Sequence, residues 1–141
     1  MSWLIYALAS GFGLAVYNTA THAANARITP YLFVVILTTA SAIFAAGALA
    51  LHKMNSNEAL TFDKAGITYA VIGGVAVGLV DVLMFMMFMK GGALSIAVPI
   101  VVVTSVILGA IAGVVFFQET FTPTQMLGFV MAAASIFLLV K

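Results

Sequence analysis

Residues 94–116 read LSIAVPIVVVTSVILGAIAGVVF, twenty-three positions without one charged side chain. A helix rises 1.5 Å per residue and needs about 20 mainly apolar residues to cross a hydrocarbon core. This stretch is long enough, and its apolar character is continuous instead of alternating, which argues against a barrel strand. Working outward, four more stretches qualify, at approximately 2–24, 31–51, 66–89 and 124–140. The chain of 141 residues is 65% hydrophobic and only 6% charged, whereas soluble domains carry roughly 25% charged residues. Nine formal charges with a net of +1 cannot clothe a soluble domain, and they form no basic patch for nucleic acid. A disordered chain is excluded by the same apolar excess, and the absence of cysteine excludes disulfides and thiol chemistry. The sequence therefore predicts an all-α polytopic membrane protein, one transmembrane domain over 1–141 built as a bundle of five helices in a lipid bilayer. A bacterial inner or plasma membrane is the expected location.

The boundaries carry their own signals. Thr122 is placed to cap the fifth helix, Pro123 suits its first position, and Gln125 stands where a capping box wants Glu or Gln. Lys90-Gly91-Gly92 reads as a tight helix-ending turn, which predicts an antiparallel third and fourth helix. The start, Met1-Ser2-Trp3, lacks the positive region of a secretory signal, so the first segment is expected to be retained.

Five crossings put the two ends of this stretch on opposite sides. One side then receives Lys53 and Lys64 and the other Arg27, Lys90 and Lys141. Positive residues in short loops set orientation, so two against three predicts weak orientation or insertion both ways round.

Ionisable groups inside a bilayer usually face a bundle interior, because burying one costs at least about 2.5–3.5 kcal/mol. Asp81 is the only acidic residue within a span. Steps of three and four place it on a face with Gly74, Gly78, Phe85 and Phe88, where the Gly74/Gly78 pair permits close helix approach. The first helix has a matching stripe of Gly11, Ala15, Asn18 and His22. Equal fractional depth sets Tyr17 and Asn18 level with Asp81, together with Thr38 of the second helix and Thr104 of the fourth. Asp81 has two readings: a protonated or hydrogen-bonded acid that staples helices through Asn18 or Tyr17, or a site exchanging a proton or cationic substrate. His22 reads as a hydrated end residue, His52 and Lys53 as interface anchors, and Glu119 as a solvated terminus or local cap.

Pro99 removes one hydrogen bond inside the fourth helix, a break that transporters place beside binding sites. Gly109 and Gly113 form a second close-contact pair. Met84, Met86, Met87 and Met89 soften the end of the third helix, and lipid-facing positions are the expectation for them. Nothing points to an enzyme: no clustered metal ligands, nucleophile elbow or phosphate loop is written in the chain, so neither metal nor cofactor is expected. The cavity is expected among Tyr17, Asn18, Thr38, Asp81 and Thr104, beside Pro99.

One resemblance covers roughly the last 55 residues. Phe88-Met89-Lys90-Gly91-Gly92-Ala93-Leu94-Ser95-Ile96-Ala97 leads through Val98-Pro99-Ile100. It ends in Phe116-Phe117-Gln118-Glu119-Thr120-Phe121-Thr122-Pro123-Thr124-Gln125-Met126-Leu127-Gly128. In order and spacing this resembles the EamA repeat of the drug/metabolite transporter superfamily, with Pro99, Glu119, Thr122 and Gly128 at the family's positions. Larger members look like two five-helix repeats fused in inverted orientation. The resemblance implies an antiparallel homodimer, or a pair with a second five-helix chain, carrying a small metabolite or drug. The related four-helix multidrug proteins use an acidic residue in the first helix, which this sequence lacks. The alternative is a non-transporting subunit that docks through its glycine faces.

Overall fold

A computed structural model describes residues 2–56, 60 and 63–140. Lys141, Met1 and part of the expected His52–Ala65 loop lie outside the described residues. Five helices follow one another: α1 (Ser2–Ala24), α2 (Pro30–Asn55), α3 (Lys64–Met89), α4 (Leu94–Phe117) and α5 (Pro123–Val140). The protein is all-helical, as its apolar runs dictate. α2 continues four residues beyond the expected Leu51 and α3 starts two before Gly66, because His52, Lys53 and Lys64 extend the helices into their polar flanks. α2, α3 and α4 are each long and apolar enough to cross a membrane, and α5 is apolar but shorter. α1 is interrupted chemically by Tyr17, Asn18, Thr19, Thr21 and His22, the part of it that meets α3.

The chain divides into two compact units, residues 1–90 and 91–141. In the first, α1 and α2 both pack on α3. Pro30 opens α2 from an extended Thr29, the position where its missing N–H costs nothing. The packed region lies at one end of the three helices: Asn18 and Thr21 of α1, Pro30 of α2, and Asp81, Met84, Phe85 and Phe88 of α3 are buried. Phe33 of α2 meets Phe85 at 4.9 Å between ring centroids, and His22 of α1 meets Phe88 edge-on at 5.0 Å. Toward the other end α2 and α3 present Ile43, Phe44, Val71 and Val75 outward, surfaces for lipid or a partner.

The second unit is the α4–α5 pair. Thr122 and Gln125 form a reciprocal capping box: the Thr122 N–H donates to Gln125 Oε1 at 2.8 Å, and the Gln125 N–H to Thr122 Oγ1 at 3.3 Å. Phe121, one residue before the cap, meets Phe129 of the helix edge-on at 4.9 Å between ring centroids. At the end of α4 the Gly113 carbonyl accepts the N–H groups of both Gln118 and Glu119. Glu119 folds its carboxylate over Gly113, where a Cβ would stand 2.5 Å from Oε2. Gln118 adopts φ 54°, ψ 33°, a left-handed conformation that costs a residue with a Cβ roughly 1–2 kcal/mol. Gln118→Gly should therefore stabilise the detergent-solubilised protein by about 0.5–1 kcal/mol after the entropy cost of glycine. Thermal unfolding checks this, with Gln118→Ala as the control that keeps the strain and should leave the midpoint unmoved.

Candidate functional site

The polar residues of the first unit gather where α1 crosses α3. Asp81 is 5% exposed and Asn18 4% exposed, so both polar groups have left the surface. The half-buried Tyr17 hydroxyl donates to Asp81 Oδ1 at 2.6 Å, and Met84 Sδ lies 4.0 Å from the same hydroxyl oxygen. The fully buried Thr21 donates its hydroxyl hydrogen to the Tyr17 carbonyl at 2.8 Å. Asn18 differs: its Oδ1 is buried and accepts no hydrogen bond.

Register explains why these groups meet. α1 and α3 run the same way, and two contacts fix their alignment, Tyr17 with Asp81 and His22 with Phe88. Asn18 falls between these contacts on α1, as Met84 and Phe85 do on α3. The Asn18 carbonyl oxygen and the Asp81 carboxylate thus lie in one narrow layer of the α1–α3 interface. Among the described residues no cation pairs with Asp81. The nearest lysine in sequence, Lys90 just past the end of α3, is nine positions on, about 13 Å at helical rise. No group of potential metal ligands occurs among the described residues. The layer is rich in acceptors and empty of positive charge, so it can bind a proton, or a cation with donors.

The remaining polar residues chosen from the sequence are exposed, each within its own unit. Thr38 is exposed on α2 and bonds back to Val34 O at 2.8 Å. Thr104, in the second unit, is exposed on α4 and bonds back to Ile100 O at 2.7 Å. Pro99 stands in the second turn of α4, which runs on through it to Phe117. Gly74, Gly78 and Gly109 have open space where a side chain would be, whereas Gly113 is covered by Glu119. Met84 is buried against α1, not turned to lipid, because it lies three residues from Asp81 on the same face; Met86 and Met89 do face outward. Phe33 was not legible as a contributor, and Thr21 was detectable only as the i+3 neighbour of Asn18. In the second unit α4 and α5 enclose a groove of about 400 Å³, lined by apolar residues such as Ile107, Ile111, Val115, Met126 and Phe129.

An all-helical chain with three helices long and apolar enough to cross a membrane is an integral membrane protein. Residues 1–141 match the EamA-like transporter family, and the chain belongs to it. No curated protein and no solved structure matches the chain.

Proposed function

We propose that the protein carries small metabolites or drugs across the cell membrane as an antiparallel homodimer. Transport proceeds by alternating access, with the rigid repeats rocking around a midplane site and with proton exchange at Asp81. One observation carries this reading: a buried carboxyl group held by Tyr17 from the neighbouring helix, with no cation beside it among the described residues. A purely structural acid has no need of the unpartnered Asn18 oxygen in the same layer. The near-even split of Arg27, Lys53, Lys64, Lys90 and Lys141 supports insertion in both orientations, and the transporter family supports the activity.

Reporters active on only one side of the membrane, fused to the C-terminus, test the assembly. Two populations of comparable size are expected, and a single orientation would remove the inverted pair. Gly74 and Gly78, open on α3, favour a second reading in which the chain docks to another membrane protein and transports nothing. Purification separates the two. A homodimer active in vesicles supports transport, whereas a protomer stable only beside a different protein supports docking.

A further inference from the structure

We propose that the Asp81–Asn18 layer selects a protonated primary or secondary amine, and discriminates against quaternary ammonium ions through Asn18. This rests on the transport reading and specifies its substrate class.

The inference begins with the donor and acceptor inventory. A carboxylate accepts through both oxygens, and an amide oxygen is an acceptor with two lone pairs. Asp81 Oδ1 takes one hydrogen bond, from Tyr17. Asn18 Oδ1 takes none, although it is shut away from solvent. Leaving such an acceptor unpaired costs free energy, a cost that a ligand with suitable donors removes on binding. Tyr17 supplies one hydroxyl hydrogen, already directed at Asp81, and the N–H groups of the Asn18 amide cannot reach their own oxygen, so a donor for Asn18 Oδ1 has to come from another molecule. The layer also wants positive charge, because Asp81 has no counter-ion among the described residues. A protonated amine brings both: its charge faces Asp81 while one N–H reaches Asn18 Oδ1. Hydrogen bonds between ionised partners are roughly twice as strong as neutral ones.

A quaternary ammonium ion supplies the charge without an N–H and leaves Asn18 unpaired. An alcohol supplies a donor without the charge. A carboxylic acid anion repels Asp81. Tyr17 is only half-buried, which leaves an approach from its side.

The test is binding to the purified full-length protein in detergent, followed by calorimetry. The probes are 2-phenylethylamine, its N,N,N-trimethyl analogue and 2-phenylethanol. The amine should bind at least about tenfold more tightly than either comparison compound, the effect of one charge-assisted hydrogen bond or one lost charge. In Asn18→Leu, similar in shape but without the acceptor, the amine should weaken about tenfold while the trimethyl analogue holds its affinity. Equal affinity of amine and trimethyl analogue for the wild-type protein would overturn the proposal. So would absence of amine binding at millimolar concentration, or an amine preference unchanged in Asn18→Leu, which would mean that the Asn18 oxygen is satisfied by water. The wild-type ligand series decides by itself if Asn18→Leu does not fold. Failure here is distinct from failure of transport: vesicles that move a neutral or anionic solute without binding amines keep the transporter and lose the amine. Amine binding by a protein inert in vesicles does the reverse.

Discussion

Asp81→Asn should reduce pH-gradient-driven transport in reconstituted vesicles to background while the protein purifies in normal yield. The substitution is nearly isosteric, and the Tyr17 hydroxyl can still donate to the amide oxygen where it now meets Oδ1 at 2.6 Å. What disappears is the capacity to take up and release a proton, or to offer negative charge to a cation. Tyr17→Phe is the complementary variant. It keeps the carboxyl group but deprives it of its donor, which should lower stability by about 1–3 kcal/mol and slow transport without abolishing it. If Asp81→Asn transports at the wild-type rate, Asp81 is a staple between α1 and α3 and the coupling site lies elsewhere. If both variants fail to assemble, the hydrogen bond is structural first, and Asp81→Glu, which restores the charge on a longer stem, then separates the two roles. Recovered assembly together with recovered transport would assign the loss to charge.

The helices could be read because hydrocarbon leaves a spanning segment few choices, and length with continuous apolarity identifies one. The meeting of Tyr17 and Asp81 was also legible, since two helices running the same way bring equal depths together. Depth fixes only one coordinate. Thr38 and Thr104 share the expected layer but spend their hydroxyls on the carbonyls four residues back, the usual way for Ser and Thr to satisfy themselves inside a helix. Which way round the axis each helix turns depends on side-chain packing, and a stripe of small residues leaves that open. Gly74, Gly78, Asp81, Phe85 and Phe88 share one face of α3, yet only its last three members are covered, because α1 and α2 converge on that end of the helix. Met84 escaped for a related reason. Its thioether suits lipid as well as protein, and only the neighbouring helix decides between them.

Phe85→Ala should be the most destabilising single substitution in the first unit. Phe85 is fully buried and tilts at 42° onto Phe33, tying α2 to the turn of α3 next to the one that carries Asp81. Truncating a buried Phe to Ala costs about 3–5 kcal/mol in a protein core. In a bilayer the apolar driving force between helices is absent, so lost packing against Phe33 dominates, and a loss of about 3 kcal/mol is the expectation. Unfolding in mixed detergent micelles measures it. Phe85→Leu, which refills much of the volume, should cost under about 1.5 kcal/mol. Phe44→Ala supplies the contrast, because that ring lies on the open surface of α2 and its removal should change little. Equal effects at Phe85 and Phe44 would mean that the α2–α3 contact does not organise this end of the bundle. A large loss confined to Phe85, with transport falling alongside stability, would instead tie the Phe33–Phe85 contact to the placement of Asp81 one turn away. The carboxyl group would then owe its position to packing from α2 as well as to the hydrogen bond from α1.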